Sequence, residues 1–359
     1  MKVKYLFLII STTFSFTLYA QINRPQEPKA PFKYTAENVK FKNNFTDSIT
    51  LAGTLTYPKE GTNFPAVILI SGSGPQDRNS EIMNHKPFLV IADYLTKNGI
   101  VVLRLDDRGT GESEGNYNET GLNGFVNDTK SALEFLKSRK EVNHTKIGLI
   151  GHSMGGVIAP IVASENPDIS FIVLLAGSGI RGDQLMLLQK EKIERKMGVP
   201  ELGIIQGQNN MKGAYDIILK SDNNKVQLQV ELKDYFTGKF GGMLAENQIQ
   251  SISEQLSFPW LTDLIKFDPQ TSLSKTNCPV LALNGANDLQ VPAKENLENI
   301  ERILKESGNK EVEVIEFENL NHLFQESETG LPNEYATIEQ TFSPKVLETM
   351  TRWIKKQTE

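Results

Sequence analysis

Two hydrophobic patterns alternate along most of this chain. Short continuous apolar runs occur at 66–70, 100–105, 147–150, 171–175, 280–283 and 312–317. Their length and lack of polar alternation suit strands buried on both faces of a parallel sheet. Several of them are separated by longer stretches with helical character, at 87–98, 122–139, 155–164 and 293–307. Ahead of the series, 39–41 and 49–57 read as antiparallel strands, with Asn43, Asn44, Asp47 and Ser48 as turn residues. Strands alternating with helices imply right-handed crossovers, so the fold class is α/β, a mostly parallel central sheet flanked by helices.

One stretch breaks the alternation. Residues 180–275 contain no convincing buried strand, while 185–197 and 246–256 read as helices. An insertion this long between two sheet strands is too large for a loop and predicts a helical cap. It emerges where ligands bind in open α/β sheets, so a lid over the pocket is expected, with Pro259, Trp260, Leu261 and Phe267 as its pocket-facing apolar residues. The expected organisation is a signal peptide at 1–20, an extended leader at 21–38, a core at 39–179, the cap at 180–275 and the rest of the core at 276–359.

The opening segment changes the picture of location. Lys2 and Lys4 precede an apolar stretch at 5–18 that ends at Tyr19 and Ala20. This is the layout of a secretory signal peptide, implying an exported protein, periplasmic or secreted, with no stable membrane insertion once the segment is removed. Cys278 is the only cysteine, so an exported chain must be held by its core without internal disulfides. The net charge of -6 argues against nucleic acid or an anionic membrane as partner.

Candidate chemistry centres on Gly151-His152-Ser153-Met154-Gly155, directly after the apolar run at 147–150. The pattern is that of a nucleophile elbow, a strained strand-to-helix turn that lifts a serine hydroxyl above the sheet. A serine needs a general base, oriented in turn by a carboxylate. Of the four histidines, His152 lies inside the elbow and His144 precedes the elbow strand at the far end of the sheet. His85 follows the first long loop and stays open as a base. His322 follows the last strand at the active face and is the expected base. Asp288, after the run at 280–283, is the expected carboxylate; Asp263 and Asp268 lie in the insertion and are poorer candidates. Backbone N–H groups for an oxyanion are expected from Met154, after the serine, and from Ser73 in Ser71-Gly72-Ser73-Gly74-Pro75. That loop is no phosphate cradle: no Gly-Lys-Ser/Thr follows, and Asp77 would repel phosphate. Gly109-Thr110-Gly111 misses a dinucleotide fingerprint at Glu114, and no metal-ligand spacing occurs, so neither cofactor nor metal is expected.

Taken together, these blocks resemble the bacterial α/β-hydrolase family, and within it the secreted or periplasmic carboxylesterases. The matching segments are 71–78, 106–113, the elbow, 283–288 with Val291 and Pro292, and 321–325. One departure is Ser71, where many relatives carry histidine. The resemblance implies ester hydrolysis through Ser153, His322 and Asp288, with an acyl-enzyme, no cofactor and a small-molecule ester substrate. Arg108 and Asp77-Arg78 are expected to serve structure through ion pairs. A serine peptidase or an acyltransferase would use the same residues. A non-catalytic binding protein on the same fold is the alternative from another class. Neither the natural ester nor the oligomeric state is legible.

Overall fold

The computed structural model describes residues 24–45, 48–222 and 224–359. The expected signal peptide and residues 21–23 of the expected leader lie outside them. Eight strands form one sheet in the order β1-β2-β4-β3-β5-β6-β7-β8. They are β1 (Tyr34–Lys42), β2 (Thr50–Pro58), β3 (Phe64–Ile70), β4 (Val101–Leu105), β5 (Val142–His152), β6 (Ile169–Leu175), β7 (Val280–Gly285) and β8 (Val312–Phe317). The β1–β2 and β2–β4 pairs are antiparallel and every other pair is parallel.

Period-two alternation sends neighbouring residues of each central strand to opposite faces. Ala66, Ile68 and Ile70 of β3 pack with α2 (Leu122–Lys137), α3 (Gly155–Glu165) and α10 (Ala293–Glu306) on one side. Val67 and Leu69 pack with α1 (Pro87–Lys97) and α11 (Pro344–Thr358) on the other. Both faces are therefore apolar, which is why these strands read as unbroken hydrophobic runs.

The sheet begins at Tyr34, earlier than the expected core start at 39. β1 is an edge strand, and its ladder with β2, from Tyr34 opposite Pro58, needs backbone groups rather than an apolar stripe. The boundary between leader and core accordingly moves into the range 21–38. The helix α11 has no counterpart among the sequence expectations.

Between β6 and β7 the described residues form six helices: α4 (Gly182–Lys196), α5 (Glu201–Lys220), α6 (Lys225–Phe240), α7 (Glu246–Leu256), α8 (Pro259–Lys266) and α9 (Gln270–Leu273). Part of this insertion has its own core, built from Ala214, Ile218, Leu228, Leu232, Phe236 and Ile252 among others. It is joined to the main core through α8, where the Asp263 carboxylate accepts the Leu122 amide at 2.9 Å. That bond caps α2, whose own N-cap residue is the side-chain-free Gly121. No helix among the described residues is long and apolar enough to cross a membrane.

Candidate active site

The elbow is built from close backbone approach. Ser153 sits at φ 54°, between the end of β5 and the start of α3. A left-handed backbone at a non-glycine residue is strained, and such strain persists only where its surroundings enforce it. Here the Ser153 amide donates to the Leu175 carbonyl at 2.9 Å and its carbonyl accepts from Gly156 at 2.8 Å. A Cβ at Gly151 would overlap the Gly155 carbonyl, and one at Gly155 would overlap that of Ile70. The two glycines let α3 start directly against β3 and β5, placing its N-terminal dipole beside Ser153.

Asp288 and His322 arrive from the loops after β7 and β8. His322 Nδ1 donates to Asp288 Oδ2 at 2.8 Å, and both side chains are buried. Asp288 Oδ1 accepts the amides of Gln290 at 2.8 Å and Val291 at 2.9 Å. A Cβ at Gly285 would strike the Leu320 carbonyl, so a glycine there lets the two loops meet. His152, next to Ser153, ties the His322 loop to the elbow: its Nε2 donates to the His322 carbonyl at 2.9 Å. The two imidazole centroids are 4.9 Å apart. Burial, with His322 adding to it, drives the His152 pKa down to about 3, so this ring is a neutral tether.

The loop 71–76 lies against the elbow, where a Cβ on Gly72 would come 3.3 Å from Ser153 Cβ. It is fastened by groups behind it. Ser71 Oγ donates to Asp107 Oδ1 at 2.6 Å, and the Gln76 amide to Asp107 Oδ2 at 2.9 Å. The Gly74 amide donates to Tyr117 Oη at 2.8 Å.

The other expected residues fall into place around this constellation. His85 is fully buried between Thr341 and the Tyr335 carbonyl, away from the elbow. His144 is exposed near the start of β5. Arg108 pairs with Asp128 at 2.7 Å, while Arg78 pairs with Asp106 and Glu112. Among the described residues Asp77 forms no such pair: its carboxylate accepts the amides of Asn79 and Glu81 and shapes a turn. Trp260 packs edge-on against Tyr117, with centroids 5.8 Å apart. Leu261 corrects an expectation: adjacent residues on α8 face different ways, and it packs into the insertion's own core. Cys278 packs against the main core, and burial pushes its thiol up to about 12. Tyr117 had no sequence signal, whereas Asp128 stands as a lone carboxylate among the apolar positions of α2.

Two buried charges carry stability predictions. Arg108→Met would leave the Asp128 carboxylate in the interior without its cation, a loss of about 3–5 kcal/mol. Urea unfolding measures it, and a loss under about 1 kcal/mol would mean that the remaining donors to Asp128 suffice. The Asp107 carboxyl is pushed up to about 7, chiefly by burial, with the bonds from Ser71 and Gln76 opposing. It borders a cavity of about 40 Å³ also lined by Asp106, Arg108, Asp128 and Met154. An unfolded aspartate titrates near ~3.9. Between these values the native state binds the extra proton, so this contribution is present at low pH and fades as pH rises toward 7. Asp107→Asn should therefore gain on wild type in melting temperature as pH rises from 4 to 8. A difference that stays constant across that range would contradict the assignment.

Residues 85–240 match the family described as serine aminopeptidase, S33. The esterase EstD of Thermotoga maritima is 29% identical over 315 residues, covering 85% of this chain and 66% of the relative. This chain thus spans just under two thirds of that protein's length. The Pyrococcus furiosus esterase Pf2001 superposes with a TM-score of 0.53 at 17% identity, over 90% of this chain and 93% of that one. The α/β hydrolase GrgF of a Penicillium species gives 0.54 at 15% identity, over 90% and 99%. With the eight-stranded sheet and its flanking helices, these likenesses show that the chain has the α/β-hydrolase fold.

Proposed function

We propose that this protein is a serine hydrolase that cleaves carboxylic esters with short acyl groups, with Ser153, His322 and Asp288 as its triad. The observation that carries the reading is the buried 2.8 Å Asp288–His322 pair, tethered to the elbow by His152. With Nδ1–H committed to Asp288, the neutral His322 ring presents an unprotonated Nε2 that takes the Ser153 proton. The alkoxide attacks the ester carbonyl, and the amides of Ser73 and Met154 hold the oxyanion. Protonated His322 gives its proton to the departing alcohol, then activates water to release the acid and free serine. The insertion α4–α9 serves as a lid, with Trp260 near the oxyanion loop. The name of EstD supports the ester reading, and the charge and apolar pattern of 1–20 support export.

Hydrolysis of p-nitrophenyl esters from acetate to palmitate by the purified protein, with Ser153→Ala as control, tests it. Turnover that peaks at short chains and disappears in the variant is expected. The matched family's description favours one second reading, a peptidase acting at amino termini. Aminoacyl p-nitroanilides cleaved faster than every ester would replace the first reading with the second.

A further inference from the structure

Arg24 and Gln26 lie ahead of the sheet, yet they bind 83–84 and 336–342, segments whose neighbours bond to the loops carrying Asp288 and His322. Arg24 is 8% exposed. Its guanidinium donates to the carbonyls of Met83 at 3.0 Å, Asn84 at 3.3 Å, Ala336 at 3.1 Å and Ile338. Gln26 Nε2 donates to the Phe342 carbonyl at 2.7 Å, while its Oε1 accepts the amides of Thr341 at 2.6 Å and Phe342 at 3.0 Å. Without Gln26, the backbone groups of the buried Thr341 and Phe342 would lose these hydrogen bonds.

From each grip a short chain of bonds runs to one of the two loops. Beside Ala336, Tyr335 accepts Gln290 Nε2 on its hydroxyl at 2.9 Å, and the Gln290 amide donates to Asp288. The Tyr335 carbonyl also accepts from His85, which follows the gripped Asn84. Beside Thr341, the Gln340 carbonyl accepts Gln325 Nε2 at 3.0 Å and its side-chain oxygen accepts the Glu326 amide at 2.8 Å. Ser343 donates to the Phe324 carbonyl at 2.8 Å. Gln325 in turn holds Asn321, whose Oδ1 closes the turn carrying His322 by accepting the amides of Leu323 and Gln325.

We propose that residues 24–27 are a strap that braces the triad loops from behind, through 83–84 and 336–342, in which Arg24 is a positioning residue for Asp288 and Gln26 one for His322. The inference rests on the triad reading above. Its basis is the alignment a general base requires, since a displacement near 1 Å costs on the order of 100-fold in rate. The strap is remote from the reacting atoms and acts only through the loops.

Hydrogen–deuterium exchange and steady-state kinetics on the full chain test it, with Arg24→Ala, Gln26→Ala and Arg24→Lys. Arg24→Ala should speed exchange in peptides covering 286–292, and Gln26→Ala in those covering 319–326. Each should lower kcat on the order of tenfold with KM within about twofold. Arg24→Lys, which keeps a cation among the carbonyls, should fall between, and it carries the test if Arg24→Ala does not fold. Unchanged exchange at both loops overturns the strap, as does a wild-type kcat in variants that merely melt lower. Exchange decides the strap without any substrate, so a wild type inactive on esters would sink the ester reading alone.

Discussion

On the proposed triad, Ser153→Ala is expected to lose on the order of 10⁶-fold in kcat on its best ester and to stay folded. The expected loss is large because the proposed mechanism then lacks the oxygen that would form the acyl-enzyme, and His322 has no nucleophile to activate. The backbone at 153 supplies an internal control. Its φ of 54° is held by the Leu175 and Gly156 bonds, which alanine retains. Alanine keeps the strain of the left-handed region, whereas glycine relieves a cost of about 1–3 kcal/mol. Ser153→Gly should therefore be as inactive as Ser153→Ala yet melt higher. An alanine variant with wild-type turnover would remove Ser153 from the mechanism. A glycine variant that melts no higher would remove the strain argument while leaving the nucleophile in place.

Asp288→Asn is expected to lower kcat by about 10⁴-fold with little change in KM. The reasoning follows from the bonds to each carboxylate oxygen. Oδ1 accepts the amides of Gln290 and Val291, so an asparagine must put its oxygen there. Its NH₂ group then faces His322 Nδ1 and donates to it. The imidazole responds by carrying its proton on Nε2, where it can no longer take one from Ser153. The pocket itself is unchanged, so substrate binding survives. Rates measured across pH, with melting curves beside them, check this. A variant within about tenfold of wild type would mean that Asp288 does not set the tautomer.

The α/β class was legible because strands buried on both faces leave unbroken apolar runs, as in Ala66 to Ile70. The elbow was legible because its strain requires glycine at set positions. β1 and α11 were harder to read. The edge strand is held by backbone pairing, and Glu37 within it bonds Arg139 rather than the core. In the insertion, α5 and α6 bury their apolar residues against each other and α7. Helices without a sheet beneath them leave no strand pattern from which to take bearings.

Local chemistry determined the parts of the site that depend on residue type. A glycine is needed where backbones nearly touch, and the proposed triad takes a histidine and an aspartate from the loops that leave the ends of β8 and β7. No periodicity states which side chains meet across long sequence separations. Only the tertiary structure decided that Asp107 would brace Ser71 and Gln76, that Tyr117 would hold Gly74, and that His152 would tether the His322 loop. It also decided that Arg24 and Gln26 would reach segments more than three hundred residues away, through Ala336, Ile338 and Phe342. Such pairings depend on how the loops close over a finished sheet, and hydrogen bonds to backbone carbonyls leave no trace in residue type.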